Sequence, residues 1–280
     1  MNRVLSTHLF VQHRLTTALL GRVENAGIPE VEIFCARQHL DYHNKAQIAE
    51  LGHFFRDSKL KLHALHSPMF TDELWGRSGP DTHIDITEKR KGERLRWVGE
   101  IKRAIEIAET TPFKYLVQHL GVNGQEYDEF AVDAGFAALE DLKIFAGQRG
   151  VEILLENIPN ALSTGARLNL FNELTHLNLN YVFDTGHANL GDGVEHEFEA
   201  MRTRIRSLHL HDNNGKADSH LFPVAEGGTI DWTRAMELLK TRPDQYPLLL
   251  ELREVHEMEN PLAEVNRTFD KLESLGPQHD

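Results

Sequence analysis

Cysteine is almost missing from these 280 residues: Cys35 stands alone, so no intrachain disulfide can staple the fold. Long apolar runs are missing too. The longest are only a few residues, such as Leu248-Leu249-Leu250, far short of the roughly 20 that cross a bilayer. The segment Met1 to His8 lacks the apolar stretch of a secretory signal. A reducing, cytoplasmic location with no membrane partner is therefore the expectation. Positive charge is also scarce, and 30 Lys and Arg against 43 Asp and Glu leave a formal net charge of −13. That balance argues against a nucleic-acid partner, which normally draws on a basic surface. The basic stretch from Lys89 to Arg103 is interleaved with Glu88, Glu93 and Glu100 and reads as a solvated helix face. No Pro/Gly/Ser-rich linker divides the chain, so one domain over residues 1–280 is expected.

Histidine, by contrast, is abundant, with 17 copies. It is the commonest metal ligand and the natural proton carrier near neutral pH, so its placement along the chain matters most.

Short apolar runs alternate with stretches of helical period, the pattern of repeated βα units. Strands are expected near 3–9, 31–35, 60–66, 114–119, 151–156, 181–184, 205–210 and 247–252. Helical spacing is clearest for Leu15, Leu19, Leu20 and Val23 before Gly27, for Ile48, Leu51, Phe54 and Phe55, and for Phe136, Leu139, Leu142 and Phe145 before Gly150. Further helices fit 93–110, 166–176, 195–203, 231–241 and 261–275. Eight such units suit a closed (β/α)8 barrel better than an open doubly wound sheet. Two long loops stand out as carriers of function: roughly 67–92, containing Trp75 to Pro80, and roughly 212–230.

The polar residues at the strand ends carry the chemistry. His66, His119, Glu156, Asp184, His209 and Glu251 end strands 3 to 8 in turn, and in a barrel those ends converge on one rim. Any one of them alone reads as a capping or solvated residue; six in succession do not. Carboxylates clustered at one rim repel one another unless a cation lies among them, so a divalent metal site is expected. His187 follows Asp184 by three residues, and Asp218-Ser219-His220 presents two ligand types on one side of an extended segment.

Taken together, His66-Ser67-Pro68, Gln118-His119-Leu120-Gly121, Leu154-Leu155-Glu156-Asn157, Asp184-Thr185-Gly186-His187, His209-Leu210-His211-Asp212, Asp218-Ser219-His220 and Leu250-Glu251 resemble the xylose isomerase-like TIM-barrel superfamily. It includes sugar isomerases and epimerases, inosose dehydratases and the endonuclease IV class. The resemblance implies a metal held by Glu156, Asp184, His209 and Glu251, with Glu156 and Glu251 also moving protons and His187 touching substrate. In the endonuclease IV branch the counterparts of His66, His119, His187, Asp218 and His220 complete a three-metal cluster. This chain keeps all nine. His211 shares strand parity with His209 and is assigned with Lys216 to substrate contact, while His63 is left to the core or to a supporting place behind the ligands.

Three functions follow from that resemblance. The leading one is an isomerase, epimerase or related dehydratase acting on a sugar or sugar derivative, in which one glutamate takes a C–H proton to give an enediolate and the other returns one. The second is an endonuclease IV-like multi-metal phosphodiesterase, which the nine ligands favour. Against it, Glu32 to His39 and Met69-Phe70-Thr71 depart from the DNA-entering loops of that class. The third is a barrel that binds metal or ligand without catalysis. One to three ions are expected; the carboxylate-rich set suits Mn2+, Mg2+ or Co2+ and the histidine-rich positions suit Zn2+. The triad His187, Asp218 and His220 is expected to be the less constrained site, because two of its members lie in a long loop. A homo-oligomer is left open.

Overall fold

The computed structural model describes residues 1–74, 82–254 and 258–276. Trp75 to Pro80, singled out above, lie outside the described residues. Eight parallel strands form a single sheet: β1 Arg3–Ser6, β2 Glu30–Phe34, β3 Lys61–His66, β4 Tyr115–His119, β5 Glu152–Glu156, β6 Asn180–Asp184, β7 Ile205–His209 and β8 Leu248–Leu250. Each strand pairs with the next from β1 to β7, and β8 lies beside β1 with Arg3 opposite Leu248. A parallel bridge between Leu210 and Leu250 joins the last two strands and closes a TIM barrel.

Alternation of side chains across a strand places residues i and i+2 on one face. Ala64, Val117, Leu154 and Val182 therefore point inward one step below His66, His119, Glu156 and Asp184, and they pack with Tyr115 as a dry interior cluster. The opposite parity, with Leu65, Leu116, Leu155, Phe183 and Leu208, belongs to the larger core beneath the helices. Both faces are buried, which is why the strands read as nearly continuous apolar runs.

The outer ring comprises α1 Thr17–Asn25, α2 Lys45–Asp57, α3 Lys91–Ile105, α4 Glu129–Gly147, α5 Gly165–Leu174, α6 Thr185–Leu190, α7 Val194–Met201, α8 Trp232–Leu239 and α9 Pro261–Ser274. Most start where the sequence supplies a cap. Thr16, Asn44, Asp128, Thr164, Asp231 and Asn260 each accept a hydrogen bond from a first-turn N–H, satisfying a donor that the helix leaves open. Among the described residues no helix is long and apolar enough to cross a membrane.

Three departures from the sequence reading bear on the site. The first strand stops at Ser6, whose Oγ accepts from the His8 N–H and turns the chain into a 3-10 helix, Thr7–Phe10. The expected helix 93–110 is α-helical only to Ile105 and ends in a 3-10 turn, Glu106–Glu109. Helix α6 was not expected; it begins directly at Asp184, whose carboxylate caps it.

Candidate active site

The C-terminal rim gathers all nine metal-ligand candidates. The ligand atoms of Glu156, Asp184, His209 and Glu251 lie within 4.8 Å of one another, and so do those of His66, His119 and Glu156. Glu156 belongs to both sets. Its Oε1 lies 3.0 Å from His209 Nδ1 and 3.3 Å from His187 Nδ1, while its Oε2 lies 3.0 Å from His119 Nε2 and 3.5 Å from His66 Nε2. Each oxygen of this carboxylate thus has two histidines beside it, although the His187 nitrogen is the one that bonds the Asn157 carbonyl. Glu251 approaches from the other side, with Oε2 2.9 Å from His209 Nδ1.

Asp184 is held by its neighbours rather than by the strand alone. Its Oδ1 accepts from the His187 N–H at 2.6 Å and its Oδ2 from His211 Nε2 at 3.0 Å. Asn157 clamps the ends of β5 and β6 by bonding both the N–H and the carbonyl of Asp184. His187, in the first turn of α6, donates from Nδ1 to the Asn157 carbonyl and turns Nε2 to Asp218 Oδ2 at 3.2 Å. His220 reaches the same Asp218 oxygen at 3.2 Å.

The loop that carries Asp218 and His220 is tied down at His220 and at its base. His220 donates from Nδ1 to the Glu251 carbonyl, and its own carbonyl accepts from Arg253 N–H. At the loop base, buried Asp212 accepts from Trp232 Nε1, Thr229 N–H and Ile230 N–H. The His220 bonds tie the loop to the chain at and beyond the end of β8, the Trp232 bond ties it to α8, and the Thr229 and Ile230 bonds close its base on itself.

Above the metal-ligand side chains opens a cavity of about 360 Å³, floored by His66, His119, Glu156, His187, Asp218, His220 and Glu251. Its walls combine apolar side chains, Phe34, Met69, Phe70, Ile84, Val122 and Ile158, with the polar Ser67, His83, Gln118 and Asn123. Two expected substrate contacts are not among its lining. Lys216 is exposed in the loop after β7, and His211 is fully buried behind Asp184, stacked on His220 with ring centroids 4.0 Å apart. The physical reason is Thr185, whose Oγ1 bonds the His209 and His211 carbonyls and draws the chain beyond β7 under α6. Conversely, the sequence reading passed over His8, which lines the cavity, and Glu32, which bonds His209.

The profile of the xylose isomerase-like TIM barrel matches residues 20–275. The chain belongs to that family. Among solved structures of the family's fold, a D-tagatose 3-epimerase-like protein is 23% identical with a TM-score of 0.76, each chain being covered over 97%. The 3-keto-D-glucoside 4-epimerase YcjR from E. coli is 16% identical with a TM-score of 0.73, covering 98% of this chain and 99% of that one. IOLI, solved with a bound zinc atom, is 19% identical with a TM-score of 0.73, covering 98% and 96%. Among curated relatives, an uncharacterized protein of Methanocaldococcus jannaschii is 30% identical over 169 residues, a stretch spanning 56% of this chain and 57% of that protein.

Whether this member of the xylose isomerase-like family could hold cations is tested by its tautomers and its buried charges. His66, His187 and His220 each donate Nδ1–H to a backbone carbonyl, so the hydrogen is fixed on Nδ1 and Nε2 is set as the ligand atom. Outer partners of this kind orient metal-binding imidazoles. Glu156, Asp184 and Glu251 are at most 2% exposed. Asp218 Oδ1 is buried without a hydrogen-bond partner, an arrangement that is costly for a carboxylate unless a cation takes that oxygen. The donor set fits divalent ions.

Charge compensation within the protein follows the same pattern. Burial opposes ionisation of His187 and His209. It is outweighed by Asp184 and Asp218 around the first and by Glu251, Glu156 and Glu32 around the second, so both are raised well above the ordinary value. His220, opposed by burial but bonded to Asp218, is pushed up to about 9. Burial prevails at His119, which is lowered despite Glu156.

Gly186 is the tightest joint of this construction. A Cβ there would stand 2.0 Å from His211 Cε1 and 2.4 Å from Nδ1. Gly186→Ala should therefore drive His211 away from Asp184, destabilising the fold by about 1–3 kcal/mol, the usual range for overpacking, and lowering the bound-ion content. Urea melts and element analysis check this; a variant matching wild type in both would show that the His211–Asp184 contact is dispensable.

Proposed function

We propose that the protein is a divalent-metal-dependent isomerase or epimerase, or a related dehydratase, acting on a sugar or sugar derivative. The observation that carries this reading is the pair Glu156 and Glu251. Two buried carboxylates face each other across His209 Nδ1, at 3.0 and 2.9 Å, and both line the floor of the cavity. Proton transfer to one face of a carbon and from another asks for two such groups. The names of structural neighbours support the same class: besides the two epimerases above, they include a D-psicose 3-epimerase solved with D-fructose and a probable 3-DHS dehydratase from Bacillus anthracis.

Glu156, Asp184, His209 and Glu251 would hold the principal ion, and His66, His119, His187, Asp218 and His220 up to two more. A bound divalent ion would polarise the substrate carbonyl and acidify the adjacent C–H. Glu156 or Glu251 then takes that proton, and the other returns one. His187, fixed by the Asn157 carbonyl, presents Nε2 beside Asp218 toward the substrate. The apolar part of the walls, with Phe34 and Ile158, suits the C–H face of a sugar, and Gln118 and Asn123 offer hydrogen bonds to its hydroxyls. We place the enzyme in a reducing, cytoplasmic compartment, in keeping with its one buried cysteine.

Ketohexoses such as D-fructose, D-psicose and D-tagatose, incubated with the enzyme and Mn2+ or Co2+ in D2O, should gain deuterium at the carbon beside the carbonyl. Glu251→Gln should stop the uptake. A phosphodiesterase is the second reading, favoured by the nine converging metal-ligand candidates and by Asp218 Oδ1, which accepts no hydrogen bond and has His211 Nε2 no nearer than 3.8 Å. Absence of exchange over a broad ketose panel, with cleavage of an abasic-site oligonucleotide, would reverse the order. Silence in both assays with a ligand still bound at the rim would favour the non-catalytic barrel.

A further inference from the structure

We propose that Glu32 is a positioning residue for the metal centre. By accepting the Nε2–H of His209, it fixes the tautomer that leaves Nδ1 facing Glu156, Asp184 and Glu251. The inference rests on the reading that these residues hold a divalent ion, and it adds a residue from a strand outside that ligand set.

Glu32 sits in the middle of β2, inside the barrel, with no exposed surface. Its oxygens lie 3.1 and 3.3 Å from His209 Nε2. A carboxylate is an acceptor only, so Nε2 holds a hydrogen toward Glu32, and Nδ1 holds one as well until a cation displaces it; with a cation at Nδ1 the one hydrogen left would be the Nε2–H that Glu32 accepts. On the other side of the ring, Nδ1 lies 3.0 Å from Glu156, 2.9 Å from Glu251 and 3.8 Å from Asp184. The imidazole is thus oriented opposite to His66, His187 and His220, whose Nδ1 atoms face inert backbone carbonyls. Behind His66 and His220 stands a backbone carbonyl, behind His187 a carbonyl with Glu156 and Asp184 at 3.3 and 3.5 Å, and behind His209 the Glu32 carboxylate; a charged acceptor raises the basicity of the ligand nitrogen as well as aiming it.

The barrel is built to let Glu32 reach that far. A one-residue slip in the β2–β3 ladder between Val31 and Glu32 sets Glu32 opposite Ala64 rather than His63, and its β1 neighbour is Ser6. Small residues on both sides leave interior space for the carboxylate to cross to β7. Ladder irregularities of this kind commonly re-aim a side chain near a site. A buried carboxylate is costly without a strong partner, and His209 is the partner the fold supplies.

The test uses the full chain loaded with Zn2+. Competition against a chromophoric chelator should show affinity at the tightest site falling 10–100-fold in Glu32→Gln, the range typical for loss of such an outer partner. In 15N-histidine spectra of the loaded wild type, His209 should carry its hydrogen on Nε2, with that proton shifted far downfield; in Glu32→Gln it should move upfield. A natively folded Glu32→Gln with affinity within about twofold of wild type and an unmoved Nε2–H resonance would overturn the inference. So would wild-type spectra that place the hydrogen on Nδ1, a result that needs no variant to fold. A wild type that takes up no Zn2+ would remove the metal reading itself, and this role of Glu32 with it.

Discussion

Glu156→Gln should slow deuterium uptake into substrate by at least 10²-fold and by up to about 10⁴-fold, the range that general acid–base groups contribute. The same variant should lose at least one bound ion. Both effects follow from the two-sided position of this carboxylate, with His209 and His187 on Oε1 and His119 and His66 on Oε2. An amide has one accepting oxygen where the carboxylate has two, so it cannot serve both pairs. The fold should survive the change. His66 donates from Nδ1 to the Ser67 carbonyl, which leaves its Nε2 able to accept from the new amide NH2. Deuterium uptake followed by NMR and element analysis of the same preparation read the two effects together. Uptake within tenfold of wild type with an unchanged ion count would remove Glu156 from both roles.

The strands that carry Glu156 and its partners were legible in the sequence because a barrel strand covered on both faces is a short apolar run, and the residue closing each run is set by period two to face the rim. His66, His119, Glu156, Asp184, His209 and Glu251 could be read this way without any structure. Glu32 could not. It lies inside Val31-Glu32-Ile33-Phe34, where a polar residue is ordinarily a surface position, and its interior placement depends on the ladder slip opposite β3. The signal that was present, parity with buried Phe34, carries meaning only once the barrel is closed.

His8 and His211 were obscured for related reasons. His8 was assigned to a strand through residue 9, but Ser6 caps a 3-10 turn and swings the imidazole over the cavity. His211 shares parity with His209, yet the chain has left β7 by then and passes beneath α6. Helix α6 itself has six residues and no helical period to detect. It exists because Asp184 caps it and because Gly186 leaves room for the His211 ring. What was missed in each case is a tertiary contact that overrides the local pattern.

Stripped of divalent ions, the protein should be most stable near pH 6.5–7 and should lose stability steeply toward pH 9. The sign follows from which state holds the proton more tightly. His220 is raised to about 9 in the folded protein from an ordinary 6.5, so the stability it contributes is fully present below 6.5 and is lost as pH rises through about 9. A shift of that size corresponds to roughly 3 kcal/mol, or a fall in melting temperature of roughly 5–10 °C for a chain of this length. His187 and His209 are also raised, through their carboxylate neighbours and against burial, and they extend the loss to higher pH. The acid side has the opposite cause. Burial lowers His8 to about 3 and His39 to about 4, so their stability is present above 6.5 and is lost as pH falls toward those values. Bound ions should flatten the alkaline limb, because a cation replaces the protons that otherwise neutralise Glu156, Asp184, Asp218 and Glu251. They should also raise the whole curve by about 2.7 kcal/mol at a hundred times the dissociation constant. Melting curves at pH 6.5, 8 and 9.5, with EDTA and with excess Mn2+ or Zn2+, separate the two states. If the chelated protein melts at one temperature from pH 6.5 to 9.5, or if chelated and loaded curves coincide throughout, the histidines are not standing in for a metal and the cluster compensates its charge within the protein alone.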